Sequence, residues 1–180
     1  MTRAEIEGLI AESIGELFDK DLFLLKEDVS ERAITHKLAE YIQIRITNLN
    51  VDCEYNRDVT KGSGSPKAVN MLRRPTQAEL KKAIDLEDIE QLLETSTYPD
   101  IIVHRRGSND VNLLVIEVKK TKSSVNHEHD YQKLKAFTEN TENNSYNFTH
   151  GIFILFETGC EHPKAPNLKW FSRGEEERTT

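Results

Sequence analysis

The chain is poor in several features that would each mark a class of protein. Of its 180 residues only Cys53 and Cys160 are cysteine. They form neither a CxxC pair nor a zinc spacing, so nothing points to a disulfide framework or a zinc site, and reduced structural thiols are expected. No run approaches the roughly 18 consecutive apolar residues of a membrane helix, so no membrane partner is expected. The opening MTRAEIEGLIAESIGELF mixes acids into a helical pattern and lacks the basic start and apolar block of a signal peptide. The expected location is therefore cytoplasmic. Positive charge is also short: 24 Lys and Arg stand against 31 Asp and Glu, a net charge of −7. That speaks against a protein whose only task is to coat nucleic acid, because phosphate binding relies on Lys and Arg. There is no internal repeat.

What is present describes a wet-surfaced globular chain, 37% hydrophobic and 31% charged, of a length that fits one domain over residues 1–180. The charge is uneven. Between Ile101 and Lys135 seven basic residues face four acids, so this stretch is +3 and the remainder −10.

Thr2-Arg3-Ala4-Glu5 reads as a capping box. Ile6, Leu9, Ile10, Ile14, Leu17 and Phe18 then recur at helical spacing, which predicts an amphipathic helix from residue 3 to about 19. A link over Asp21–Asp28 should lead to a second helix from about Ser30 to Thr47, with Ile34, Leu38, Tyr41, Ile42 and Arg45 on one stripe. Val51–Arg57 reads as a strand. A Gly-Ser loop from Lys61 and a second capping box at Thr76–Glu79 predict a loop and helical insertion over 58–95. Ile101–Val103 and Val111–Val118 are apolar strands joined at Gly107–Asp110. A helix from about Asp130 to Glu139 follows, and GIFILF at 151–156 reads as a strand buried on both faces. The C-terminal extension, 160–180, is rich in proline and charge, with Trp170 and Phe171 expected to tuck back onto the body and the last six residues to fray. The order predicts an α/β or α+β fold, with helices on both sides of a small mixed sheet.

The hairpin carries the chemistry. Alternation along the second strand puts Val115, Glu117 and Lys119 on one face at the end of a buried strand. A turn symmetric between Ser108 and Asn109 would oppose His104 to Leu113, Ile102 to Val115 and Asp100 to Glu117. Opposed β-carbons lie roughly 4.5–5.5 Å apart, and two carboxylates at that range repel unless a cation lies between them. Hard oxygen ligands favour Mg²⁺ or Mn²⁺. Lys119 beside such an ion could orient water or stabilise charge on a phosphoryl oxygen. The competing reading is that Glu117 and Lys119 end the strand in solvent and pair there.

Pro99-Asp100, sixteen residues, then Glu117-Val118-Lys119 resembles the PD-(D/E)xK motif of the restriction-endonuclease-like nuclease superfamily. That superfamily has an α-β-β-β-α-β core, and residues 30–157 supply elements in that order, with the first helix (1–28) and the insertion lying outside it. The resemblance implies a Mg²⁺-dependent phosphodiesterase acting on DNA, less often RNA. It implies Asp100 and Glu117 as metal ligands, the Val118 carbonyl as a third, and Lys119 as the catalytic lysine. Relatives often carry an acid on the first core helix; here Glu31 is the candidate, although a capping role suits it equally. They often offer a polar or basic residue to phosphate from the helix after the lysine strand, here Lys133 or Gln132, for which a solvated position is the alternative. Lys120 in the basic stretch, and Arg73 and Arg74 in the loop, are further candidates for nucleic-acid contact.

Lesser candidates are Glu54, on the neighbouring strand, His36, read as structural or superficial, and the His127-Glu128-His129-Asp130 run, whose alternation seldom makes a metal site without distant partners. The alternative function is a catalytically silent module of the same fold that binds nucleic acid or a protein. A hydrolase of small phosphate substrates is a third class. Cutting both strands of a duplex would favour a homodimer.

Overall fold

The computed structural model describes residues 1–55, 98–108, 110–122, 127–141 and 146–177. The expected insertion over 58–95, Arg73 and Arg74, the end of the first strand to Arg57, and the final three residues lie outside them.

Helix α1 spans Arg3–Lys26. Its start is the expected capping box: Thr2 Oγ1 accepts from the Glu5 amide and Glu5 Oε2 accepts from the Thr2 amide. It runs a further two turns past the expected end. Asp21 leaves helical geometry (φ −125°, ψ 24°), but Leu25 beyond the kink is fully buried and holds the continuation on the core. The Asp21 carboxylate accepts a hydrogen bond from the Tyr41 hydroxyl on α2, fixing the kink. The segment read as a link thus contains no proline or glycine, and it continues the helix with Leu25 on the core and Phe23 exposed. Helix α2, Glu31–Arg45, is capped by Ser30, whose Oγ accepts from the Ala33 amide. Ile34, Leu38, Tyr41 and Ile42 are buried as the stripe predicts, while Arg45 reaches back to Glu16 and Glu12 of α1.

Among the described residues six strands form one sheet in the order of the chain: β1 Asn50–Cys53, β2 Ile101–His104, β3 Asn112–Lys120, β4 His150–Phe156, β5 Asn167–Ser172 and β6 Glu175–Glu176. All neighbours are antiparallel except β3 and β4, which are parallel and joined by helix α3, Glu128–Thr138. A parallel pair requires such a crossover. Helices α1 and α2 cover one face, over Ile101, Val103, Leu114, Ile116, Val118, Ile152 and Ile154. Helix α3 covers the other, packing Leu134 and Phe137 with Ile102, Val115 and Phe153. The fold is mixed α/β, with helices on both sides of a small mixed sheet. Gly151 makes one packing possible: a β-carbon there would lie 3.2 Å from Thr138 Cγ2 and 3.3 Å from Phe171 Cβ.

The C-terminal extension departs from expectation. Asn167–Ser172 pairs with β4, and the positive-φ pair Arg173-Gly174 turns the chain into β6. Phe171 is buried against Gly151, and the Arg3 guanidinium lies over the Trp170 ring. Trp170 and Phe171 do return to the body, but as part of a strand, and Glu175–Glu176 is paired rather than frayed.

Candidate active site

Register decides what meets at the end of β3. Ile101, Ile102 and Val103 oppose Ile116, Val115 and Leu114, as a symmetric hairpin requires. A bulge between Val103 and His104 then shifts the pairing, so His104 opposes Asn112 rather than Leu113 and the tip is not symmetric. The bulge lies on the tip side, and the register toward Asp100 is undisturbed. Asp100, one residue before β2, accepts from the Val118 amide through Oδ2 at 2.8 Å, which pins it beside Glu117.

Glu117 is fully buried, and neither of its oxygens is in a directed hydrogen bond. The Lys133 ammonium lies 2.8 Å from Oε1, an ion pair made off the hydrogen-bonding direction. Burial pushes the Glu117 carboxyl up to about 8, Asp100's charge adds to this, and Lys133 and Lys119 only partly oppose it. Lys119 points the other way. Burial disfavours its charged form, but Asp100, Glu117, Asp130 and the hydrogen bond to Glu31 outweigh that and raise its pKa above the usual lysine range. Its Nζ donates to Glu31 Oε1 at 3.0 Å and to the Val118 carbonyl at 3.1 Å, and lies 3.7 Å from Asp100 Oδ2 and 3.8 Å from Asp130 Oδ1.

The structure thus brings Asp100, Glu117, Lys119, the Val118 carbonyl and Glu31 together. Glu31 is the first residue of α2 and Ser30 takes the cap, so the Glu31 side chain is available to Lys119. A cleft of about 210 Å³ opens beside them, lined by Glu31, Thr35, His36, Cys53 and Asp100 among others.

Other candidates are placed elsewhere. Lys133 is buried rather than solvated. Gln132 is exposed and donates to Glu128 Oε1. Lys120 donates to the Val29 carbonyl at 2.8 Å and pairs with Asp28, tying β3 to the α1–α2 connection. Glu54 (φ +48°) pairs with Arg32 in solvent, and His36 is exposed. His129 and Glu128 face outward, so the run from His127 to Asp130 does not converge. Asp130 is the residue sequence reasoning passed over: only 6% exposed, it faces Lys119 from α3. Its signal was the spacing Asp130, Lys133, Phe137, which puts two charges on the helix face that carries the buried phenylalanine.

Among the described residues no three His, Cys, Asp or Glu side chains are grouped so as to hold a metal; lysine ammoniums lie against the carboxylates instead. The donor chemistry nevertheless fits a small hard divalent ion. Glu117 is a buried carboxylate lacking directed donors, with Asp100 and a backbone carbonyl beside it, all oxygen. No protein-family model matches the chain, and no curated protein or solved structure matches it.

Proposed function

We propose that the chain is a divalent-cation-dependent phosphodiesterase of the PD-(D/E)xK kind, acting on nucleic acid, with DNA the favoured polymer over RNA. The observation that carries this reading is the meeting of Asp100, Glu117 and Lys119 at one end of the sheet, with Glu31 from α2 bonded to the lysine. The order α2, β1, β2, β3, α3, β4 also agrees with the α-β-β-β-α-β core the motif implies. Asp100, Glu117 and the Val118 carbonyl are the groups that would hold Mg²⁺ or Mn²⁺. The ion would supply charge to the phosphoryl oxygens and an activated water. Lys119 offers a fixed positive charge at Nζ, where negative charge builds on the phosphate, and Glu31 and Asp130 orient that ammonium.

One observation favours the silent binding module: each acid already has a lysine against it, so the site is internally neutralised in part. Cleavage decides between the two. Supercoiled plasmid, linear duplex, single-stranded DNA and RNA are incubated with Mg²⁺, with Mn²⁺ and with chelator. Metal-dependent cutting of one polymer names the substrate; binding of DNA without cutting by metal-loaded protein selects the module. Binding and hydrolysis of neither polymer overturn both.

A further inference from the structure

Glu117 is fully buried with neither carboxylate oxygen in a directed hydrogen bond. Its one close partner is Lys133, 7% exposed, whose Nζ lies 2.8 Å from Oε1. A lysine kept for the nucleic-acid backbone belongs on the outer face of α3, where Gln132 stands. Lys133 instead lies inward, on the face that also carries buried Asp130, Leu134 and Phe137. Burying an ammonium costs several kcal/mol unless a matched anion offsets it, and Glu117 is the anion in place.

We propose that Lys133 is the resident counter-cation of Glu117, a positioning residue that holds the metal-free carboxylate at the site and is displaced when a divalent cation takes it. The inference rests on the metal-dependent reading above. A cation bound at Oε1 would sit against the ammonium, and two like charges around one oxygen repel strongly in a water-poor site. Of the two, Lys133 is able to leave, since its flexible four-carbon stem can swing the charge outward. Asp100 does not substitute for Lys133 at Glu117, because it carries the same sign and accepts from Val118. Lys133 therefore sets how tightly the metal binds, and its movement couples metal loading to a new positive charge at the mouth of the site.

The test reads the lysine and the metal separately. Amine acylation followed by peptide mass spectrometry is run on the wild-type protein with and without Mg²⁺, and Mg²⁺ affinity is measured by calorimetry for wild type, Lys133→Met and Lys133→Arg. Lys133 should be protected without metal and label severalfold faster at saturating Mg²⁺, while exposed Lys20 and Lys169 do not change. Lys133→Met should bind Mg²⁺ about tenfold tighter than wild type, having lost the competitor, and Lys133→Arg about as weakly as wild type. If circular dichroism shows the methionine variant unfolded, Lys133→Gln takes its place. Mg²⁺ binding that leaves Lys133 protected, or no gain in affinity in the neutral variants, overturns the proposal. A wild-type protein that binds neither Mg²⁺ nor Mn²⁺ overturns the metal-dependent reading itself.

Discussion

Glu117 is a carboxyl whose ordinary pKa of 4.5 is pushed up to about 8, first by burial and then by Asp100. The folded protein therefore holds that proton to a higher pH than the unfolded chain does, and gives it up toward the upper end of that range to form the anion that Lys133 pairs with. Its contribution to stability is complete below about pH 4.5 and is lost as pH rises toward 8, at about 1.4 kcal/mol for each pH unit crossed. In chelator, the melting temperature should fall as pH rises through this window, and Glu117→Gln should flatten that part of the profile. An unchanged slope in the variant would remove Glu117 as its source. Asp52 acts at the other end: burial alone would raise its pKa, but bonds to Arg106 and His104 outweigh that and lower it, so its contribution is lost only in acid. The two windows do not overlap. Asp100→Asn tests the same site without disturbing the hairpin, since an amide oxygen can still accept from Val118. It should lose cleavage by about a hundredfold or more while melting close to wild type. Loss of fold instead would show that Asp100 is structural.

Elements position these residues, and two substitutions test how. Ser30→Ala removes the α2 cap and should cost about 1 kcal/mol, read as a shift in denaturant midpoint. Gly151→Ala should cost about 1–3 kcal/mol, because the atoms it would meet on Phe171 and Leu134 are β-carbons tied to backbone and cannot swing away. A neutral result would mean that α3 shifts freely on β4. The same elements show what sequence could and could not reveal. Capping residues and apolar stripes mark α1 and α2, and apolar runs mark β2, β3 and β4, because these elements bury a regular face. Asp100 comes beside Glu117 as a symmetric turn predicts only because the bulge at Val103/His104 restores the register that the asymmetric tip had shifted by one residue. By contrast β5 is mostly exposed along NLKWFS, so its alternation carries little apolar signal, and β6 is two glutamates. Lys133 read as a solvated position since the charge that matches it, Glu117, stands on another element. The local spacing shows which helix face the charges take, but not the partner on a strand that neutralises them.

At the scale of the molecule, the net charge of −7 means that attraction to a polyanion comes from few groups. Lys120 is occupied by Asp28, Lys133 by Glu117 and Lys119 by Glu31, so each lysine of the site already faces an acid. DNA binding should therefore show a shallow salt dependence, a slope of about −1 to −3 in log affinity against log salt. A slope near that of a dedicated DNA-coating protein would require a basic surface outside this site. The most direct measurement is single-turnover cleavage of supercoiled plasmid in Mg²⁺ by wild type and Lys119→Met, with both shown to be folded and to bind the ion. Cutting by wild type that chelator abolishes, and that falls by about a hundredfold or more in the variant, is the predicted result. Equal rates in the two proteins would contradict it, and so would no cutting by metal-loaded wild type.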